Sequence, residues 1–266
     1  MKTIAVVAQK GGVAKTTTVS AIGAGLARYY SAKVLFVDTD AQGNLSRSME
    51  ADYSGTTGAD VLEVLTGRAK ATEAIQQTPH GAIIASTPAL SGAEEREPTL
   101  TKAGREKRLK TALEAVSGAF DYCIIDTPPA LSIITVNALV AADKVIIPAQ
   151  ADDYSFESIS RLRETIEAVK TPQGRREAAN PSLQVDGILL TRYNGRAIIS
   201  REIADMMEAE AEALNTRIYS SRIRENIAVK EAQAMREDIF TYSPRSNAAK
   251  DYKAVLDEMI GGADNG

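Results

Sequence analysis

An apolar run, Ile4 to Ala8, leads at once into Lys10-Gly11-Gly12-Val13-Ala14-Lys15-Thr16-Thr17 and then into a helix-like segment that reaches Tyr30. A strand, a glycine-bearing loop and a helix start in that order leave few folds open. The loop turns a row of backbone N–H groups and the positive end of a helix dipole toward one point, where an anion is stabilised. Lys15 adds a full charge and Thr16 a hydroxyl able to ligate Mg2+, so the stretch reads as a phosphate cradle suited to a nucleoside triphosphate.

The rest of the chain repeats that grammar. Short apolar runs alternate with longer helical patterns, the signature of parallel strands joined by helical crossovers. Strands are expected near Thr3–Ala8, Lys33–Val37, Ala82–Ser86, Tyr122–Asp126, Lys144–Ala149, Gln184–Leu190 and Thr216–Tyr219. Several are β-branched runs without polar alternation, as in strands covered on both faces. Helices are expected over Thr16–Tyr30, Asp60–Leu65, Lys107–Val116, Ile133–Ala141, Ser158–Val169, Ile198–Leu214 and Lys250–Ile260, where apolar residues recur at helical spacing. The expected fold is a doubly wound α/β domain, a mostly parallel sheet with helices on both faces. No composition shift or repeat divides it, so residues 1–266 read as one domain.

Composition narrows the function classes. A net charge of −4 is not that of a generally basic coat, so nucleic-acid contact would need a local patch. One cysteine excludes an intramolecular disulfide framework and a cysteine-based metal cluster within the chain. Cys123 lies inside an apolar strand and reads as a core residue, and the lone His80, between Pro79 and Gly81, receives no role. No secretory leader is visible and no apolar run approaches the roughly 20 residues of a spanning helix, so the expected location is the cytoplasm, away from membranes.

Two strands end in acids. The first gives Asp38-Thr39-Asp40-Ala41-Gln42-Gly43-Asn44, the second Ile124-Ile125-Asp126-Thr127-Pro128-Pro129. In an open parallel sheet ligands bind beyond the carboxyl ends of strands, so these aspartates are candidates for metal and water handling. Each could also cap its following turn.

The phosphate loop lacks both glycines of G-x-x-x-x-G-K-[ST], with Gln9 at the first and Ala14 at the second. It has instead Lys10, and the whole resembles the deviant Walker A motif, K-G-G-x-x-K-[ST]-[ST], of the ParA/MinD family of dimerising P-loop ATPases. The acidic segments resemble that family's D-x-D-P-Q-G-N, with Ala41 in place of proline, and its Walker B D-x-P-P. Asn137 to Asp143, Ile146 to Ala151, and Ile223-Arg224-Glu225-Asn226 with Glu231-Ala232 extend the resemblance over nearly the whole chain. Arg224 stands where proline is common.

The resemblance implies ATP and Mg2+ as cofactors. Gly11, Gly12, Val13, Ala14, Lys15, Thr16 and Thr17 would hold the phosphates. Thr16 would ligate the metal, with Asp126 acting through a water and Asp38 in the outer shell, and Asp40 would position the attacking water. Lys10 would reach across a homodimer formed in the ATP state to the partner's nucleotide, and Thr191, Arg192 and Asn226 would border the base. It further implies nonspecific double-stranded DNA as a partner, nucleoid association of the ATP form, and a ParB-like activator. Arg196, Arg201, Arg222, Arg224 and Lys230 are candidates for a phosphate-binding stripe, although solvated helix faces suit the same residues.

The apolar stripe Tyr252, Val255, Leu256, Met259 and Ile260 is bordered by Asp251, Asp257 and Glu258, a poor match to a membrane-targeting helix and a better one to packing on the domain. With the first strand beginning at Thr3, no helix-turn-helix domain is expected ahead of the ATPase. Two other readings stay open: a ParA-like switch that positions a protein assembly such as a carboxysome or chemotaxis cluster, and a metabolic P-loop synthetase of the dethiobiotin or cobyrinate type.

Overall fold

The computed structural model describes residues 1–56, 58–100, 103–174, 177–194 and 207–261. Seven strands, β1 (Lys2–Val6), β2 (Val34–Asp38), β3 (Ile75–Thr78), β4 (Gly81–Ile84), β5 (Tyr122–Asp126), β6 (Lys144–Ala149) and β7 (Gln184–Leu190), form one sheet in the order β3-β4-β2-β5-β1-β6-β7. All neighbours are parallel except β3 and β4. The chain winds outward from β1 to β2 and β4, returns to β5, then crosses β1 to reach β6 and β7. The carboxyl end of β1 therefore opens into the crevice where the winding changes direction.

The helices are α1 (Lys15–Tyr30), α2 (Asn44–Ser48), α3 (Val61–Thr66), α4 (Ala71–Ala74), α5 (Ala93–Arg96), α6 (Arg108–Glu114), α7 (Ile133–Ala141), α8 (Asp153–Lys170), α9 (residues 207–213), α10 (Ile227–Ala234), α11 (Ile239–Tyr242) and α12 (Asn247–Gly261). They cover both faces of the sheet. On one face Val19, Ile22 and Leu26 of α1 meet Phe240 of α11 and Tyr252, Val255 and Leu256 of α12 in a core with Ile4, Phe36 and Ile124. On the other, residues of α3, α6, α7, α8 and α9 pack over Ala5, Leu35, Ile125 and Ile147. The apolar stripe of α12 is thus buried within the fold, and no described helix is long and apolar enough to cross a membrane.

Three departures from the sequence expectations have physical causes. The strand expected at Thr216–Tyr219 is reduced to a single bridge between Ile188 and Ile218. Beyond it, the N–H groups of Ser220 and Ser221 donate to the Glu258 carboxylate at 2.9 and 3.0 Å, so the ladder along β7 is interrupted. β3, whose residues are mostly polar, was not expected; it forms a hairpin with β4 at the sheet edge. α8 starts five residues before Ser158 because Asp152 caps it, accepting from the N–H of Ser155 at 3.1 Å. Of the helix expected over Ile198–Leu214, residues 198–206 lie outside the described residues.

Candidate functional site

The phosphate loop is shaped by its carbonyls. Gly12 O accepts from Gln150 Nε2 at 3.1 Å, Val13 O from Thr191 Oγ1 at 3.1 Å, and Lys10 O from Lys15 Nζ at 3.1 Å. With those oxygens engaged, the backbone N–H groups of Gly11 to Thr17 keep no acceptor among the described residues. Gly12 and Ala14 both take the left-handed conformation, at φ of 78° and 67°. Ala14 therefore carries a strain of about 1 kcal/mol that glycine would not, and it does so at the residue just before α1.

Lys15 is 8% exposed. Burial lowers its pKa, opposed by Asp126 and Asp40. Beside it, Thr16 Oγ1 donates to Asp126 Oδ2 at 2.6 Å, while the buried Asp126 Oδ1 has no hydrogen-bond partner. Burial, together with the neighbouring Asp38, pushes the Asp126 carboxyl well above the usual range. An orphaned carboxylate oxygen next to a hydroxyl is a donor set for a hard divalent cation. Among the described residues no cluster of three or more His, Cys, Asp or Glu could hold a metal by itself. An ion here would depend on Thr16, on Asp126 through water, and on oxygens of a bound phosphate, which fits Mg2+.

Asp38 and Asp40 differ. Asp38 is fully buried; its Oδ2 accepts from the N–H and Oγ of Ser46 at 2.9 and 2.7 Å and its Oδ1 from the N–H of Asp40 at 3.1 Å. Its pKa is raised to about 6, chiefly by burial. Asp40 is half-buried, accepts from the N–H of Gln42 at 2.9 Å, and lines the same cavity as the phosphate loop. The tertiary structure thus separates the two acids: one folds the loop, the other faces the cavity.

That cavity has a volume of about 740 Å3, within the usual range for ligand pockets. One wall is Gly11, Gly12, Ala14 to Thr17 and Asp40; the other comes from Thr191, Arg192, Ile223 to Asn226 and α10. Thr191 is buried and its hydroxyl is engaged by Val13 O and by Ala149 O at 3.2 Å. Asn226 caps α10, accepting from the N–H of Ala228 at 2.9 Å, and Arg192 lies 4.0 Å from Glu225.

Lys10 is placed at the edge of this assembly, ion-paired with Asp152 of its own chain. Three of the candidate DNA residues lie among the described residues, in different settings. Arg224 turns its guanidinium onto Asp251, with Nε and Nη2 at 3.0 and 2.6 Å, and its N–H donates to the same carboxylate. Arg222 stacks over Tyr193, Lys230 lines the cavity, and Arg196 and Arg201 lie outside the described residues. Sequence reasoning missed Gln150, Asp152 and Gln233, whose Nε2 donates to Thr17 Oγ1 at 2.8 Å. Only Asp152 carried a local signal, a helix-capping acid three residues before a serine. It also missed Arg47 and Tyr252, both on the cavity wall.

Comparisons with known proteins agree with this geometry. A family model described as an AAA domain matches residues 1–185. The chain is 36% identical to the sporulation initiation inhibitor protein Soj of Bacillus subtilis over 97% of its own length and 98% of that protein's. It is 33% identical to the chromosome partitioning protein ParA of Myxococcus xanthus, covering 95% and 85%. Among solved structures it resembles a cobyrinic acid a,c-diamide synthase from Mycobacterium smegmatis with bound ADP and magnesium, with a TM-score of 0.82 and 32% identity over 100% of this chain and 96% of that one. It also resembles apo McdA of Cyanothece, with a TM-score of 0.85 and 28% identity over 98% and 100%.

Proposed function

This chain belongs to the ParA/MinD-like family of partition ATPases, and from that membership we propose that it is a single-domain Mg·ATPase that closes as a dimer over two nucleotides, binds DNA without sequence preference and segregates a DNA element. The observation that carries the reading is that Lys15 and Thr16 line a cavity of nucleotide size, with Thr16 hydrogen-bonded to the buried Asp126, whose other oxygen is orphaned. The relatives crystallised with ADP or an ATP analogue and magnesium support the choice of cofactors.

Each side chain then has a task. The N–H groups of Gly11 to Thr17 and the Lys15 ammonium bind the phosphate chain, and Thr16 with Asp126 holds the metal. Bound there, Mg2+ withdraws charge from the phosphate oxygens. Asp40, free of the contacts that tie Asp38, orients a water for attack on the γ-phosphorus. Lys10 leaves Asp152 and reaches the phosphates of the second copy, so closure and charge neutralisation are one event. Hydrolysis removes the group that held the two copies together, and a ParB-like protein accelerates it. The ATP form would sit on the nucleoid, in the cytoplasm. Lys230 and Arg222 support DNA contact more directly than Arg224, whose charge Asp251 already balances.

Gel filtration with light scattering in ADP and in ATP, with and without duplex DNA, tests this. A dimer is expected only with ATP, and Lys10→Ala should remain a monomer that still binds nucleotide. A wild-type monomer saturated with ATP would sink the reading.

A second reading is favoured by the structural relative that is called a cobyrinic acid a,c-diamide synthase and matches the chain end to end. If this chain were an ATP-dependent synthetase, turnover would require a small-molecule acceptor and would ignore DNA and any protein activator. A third reading, a protein assembly as cargo, would be favoured by capture of that cargo in place of a DNA-bound partner.

A further inference from the structure

We propose that Arg47 is a further phosphate-binding residue of this site, held toward the nucleotide's phosphate chain by Tyr53; the inference rests on the ATP reading above. Arg47, in the last turn of α2, lines the same cavity as the phosphate loop and Asp40. Among the described residues its guanidinium has no carboxylate partner and no hydrogen bond. It stacks instead on the ring of Tyr53, with Cζ at 4.1 Å from the centroid.

The ring is itself fixed. Tyr53 Oη donates to Ala41 O at 2.9 Å, and a Cβ on Gly43 would lie 2.0 Å from the ring. Gly43 also sits at a φ of 60°, so both the turn and the close approach call for glycine. One aromatic side chain therefore braces the loop that carries Asp40 and provides a platform for Arg47.

Stacking uses the face of a guanidinium and leaves its in-plane N–H donors available. It also removes part of the side-chain freedom that an exposed arginine would lose on binding a ligand. Other cations of the cavity are differently placed. Arg224 is engaged by Asp251 and Arg192 faces Glu225, while Lys230 and Arg236 line the cavity with no ring to hold them. Opposite them Asp40 lines the cavity and Asp126 acts on Lys15 from behind it, so a triphosphate bound by Lys15 and Mg2+ has use for a further cation beside these acids. A pre-set, unpaired guanidinium on the same wall as Asp40 meets that need.

Calorimetric titration of the full chain with ATP, ADP and AMP, in the presence of Mg2+, tests this. Arg47→Gln should weaken ATP by about tenfold, the loss of one charge-assisted contact, and AMP by less than about twofold. Tyr53→Leu should reproduce part of that phosphate-dependent loss, whereas Tyr53→Phe, which keeps the ring, should stay nearer the wild type. Equal losses on ATP and AMP, or none, would overturn the proposal. So would an Arg47→Gln protein that binds ATP normally and loses only duplex DNA. Lys15→Ala in the same series separates the two ideas: if it too binds ATP like the wild type, the ATP reading has failed, and if it does not while Arg47→Gln does, only the role of Arg47 has.

Discussion

The carboxyl ends of β2 and β5 lie side by side, with Asp38 and Asp126 in register, both buried and both pushed toward the protonated form. Their surroundings divide them. Asp38 accepts three hydrogen bonds from Ser46 and Asp40, so the chain folds around it and α2 is fixed to the strand end. Asp126 accepts one, from Thr16, and keeps one oxygen without a partner. Buried polar groups in native proteins are almost always paired, so this orphaned oxygen, next to the cavity-lining Thr16, is available to a ligand. Identical residues at matching strand ends thus differ, and the function proposed above makes one a structural acid and the other a functional one.

Removing the counter-charge beside this acidic cluster gives the largest effect. Lys15→Ala should reduce ATP affinity by roughly a thousandfold, about 4 kcal/mol, because a bound phosphate chain then lacks its buried cation; isothermal titration measures it.

The structural acid shows in the pH dependence of folding. A carboxyl whose pKa is raised in the folded state favours folding when protonated, so this contribution is complete below about pH 4 and is lost as pH rises through about 6. The nucleotide-free protein should therefore lose stability from Asp38 across that window. Asp38→Asn should flatten the slope in urea unfolding at pH 5 and pH 7, since it removes both the buried charge and its repulsion on Asp126. An unchanged slope would place the titration elsewhere.

For the functional acid, Asp126→Asn should lower Mg2+-dependent turnover by roughly 10- to 100-fold while ATP-free stability at neutral pH is kept or improved. A variant that unfolds instead would make Asp126 a structural acid like its neighbour. The smallest effect belongs to the far wall, where Arg224→Ala breaks a pair between a half-exposed guanidinium and the buried Asp251, which keeps the bond from the residue 224 N–H. It should leave the unfolding midpoint close to the wild type and change nucleotide affinity only a few-fold; a large loss would show that the loop from Ile223 to Asn226 depends on that pair for its shape.

The parts legible in the sequence are those set by local periodicity and contiguous residues. The buried parallel strands, α1, α7 and α12 follow from apolar runs and helical spacing, and the phosphate loop with Thr16 and Asp126 follows from residues in fixed order at a strand end. The interrupted ladder after Ile218 was not legible, because the acid that captures the N–H groups of Ser220 and Ser221 is Glu258, on another element. Nor was the pairing of Arg224 with Asp251, which balances the charge of that arginine.

Taken alone, the sequence determined that a strand, a phosphate loop and a helix open an α/β sheet, and which acids end two of its strands, because strand burial and loop chemistry are encoded in neighbouring residues. Only the tertiary structure decided which of Asp38 and Asp126 retains an open oxygen, that Lys10 rests on Asp152, and that Arg47 reaches the cavity by way of Tyr53. Those outcomes depend on hydrogen bonds and ring contacts between segments distant in the chain or at angles that spacing does not reveal, and such contacts exist only once the sheet has brought its strand ends together.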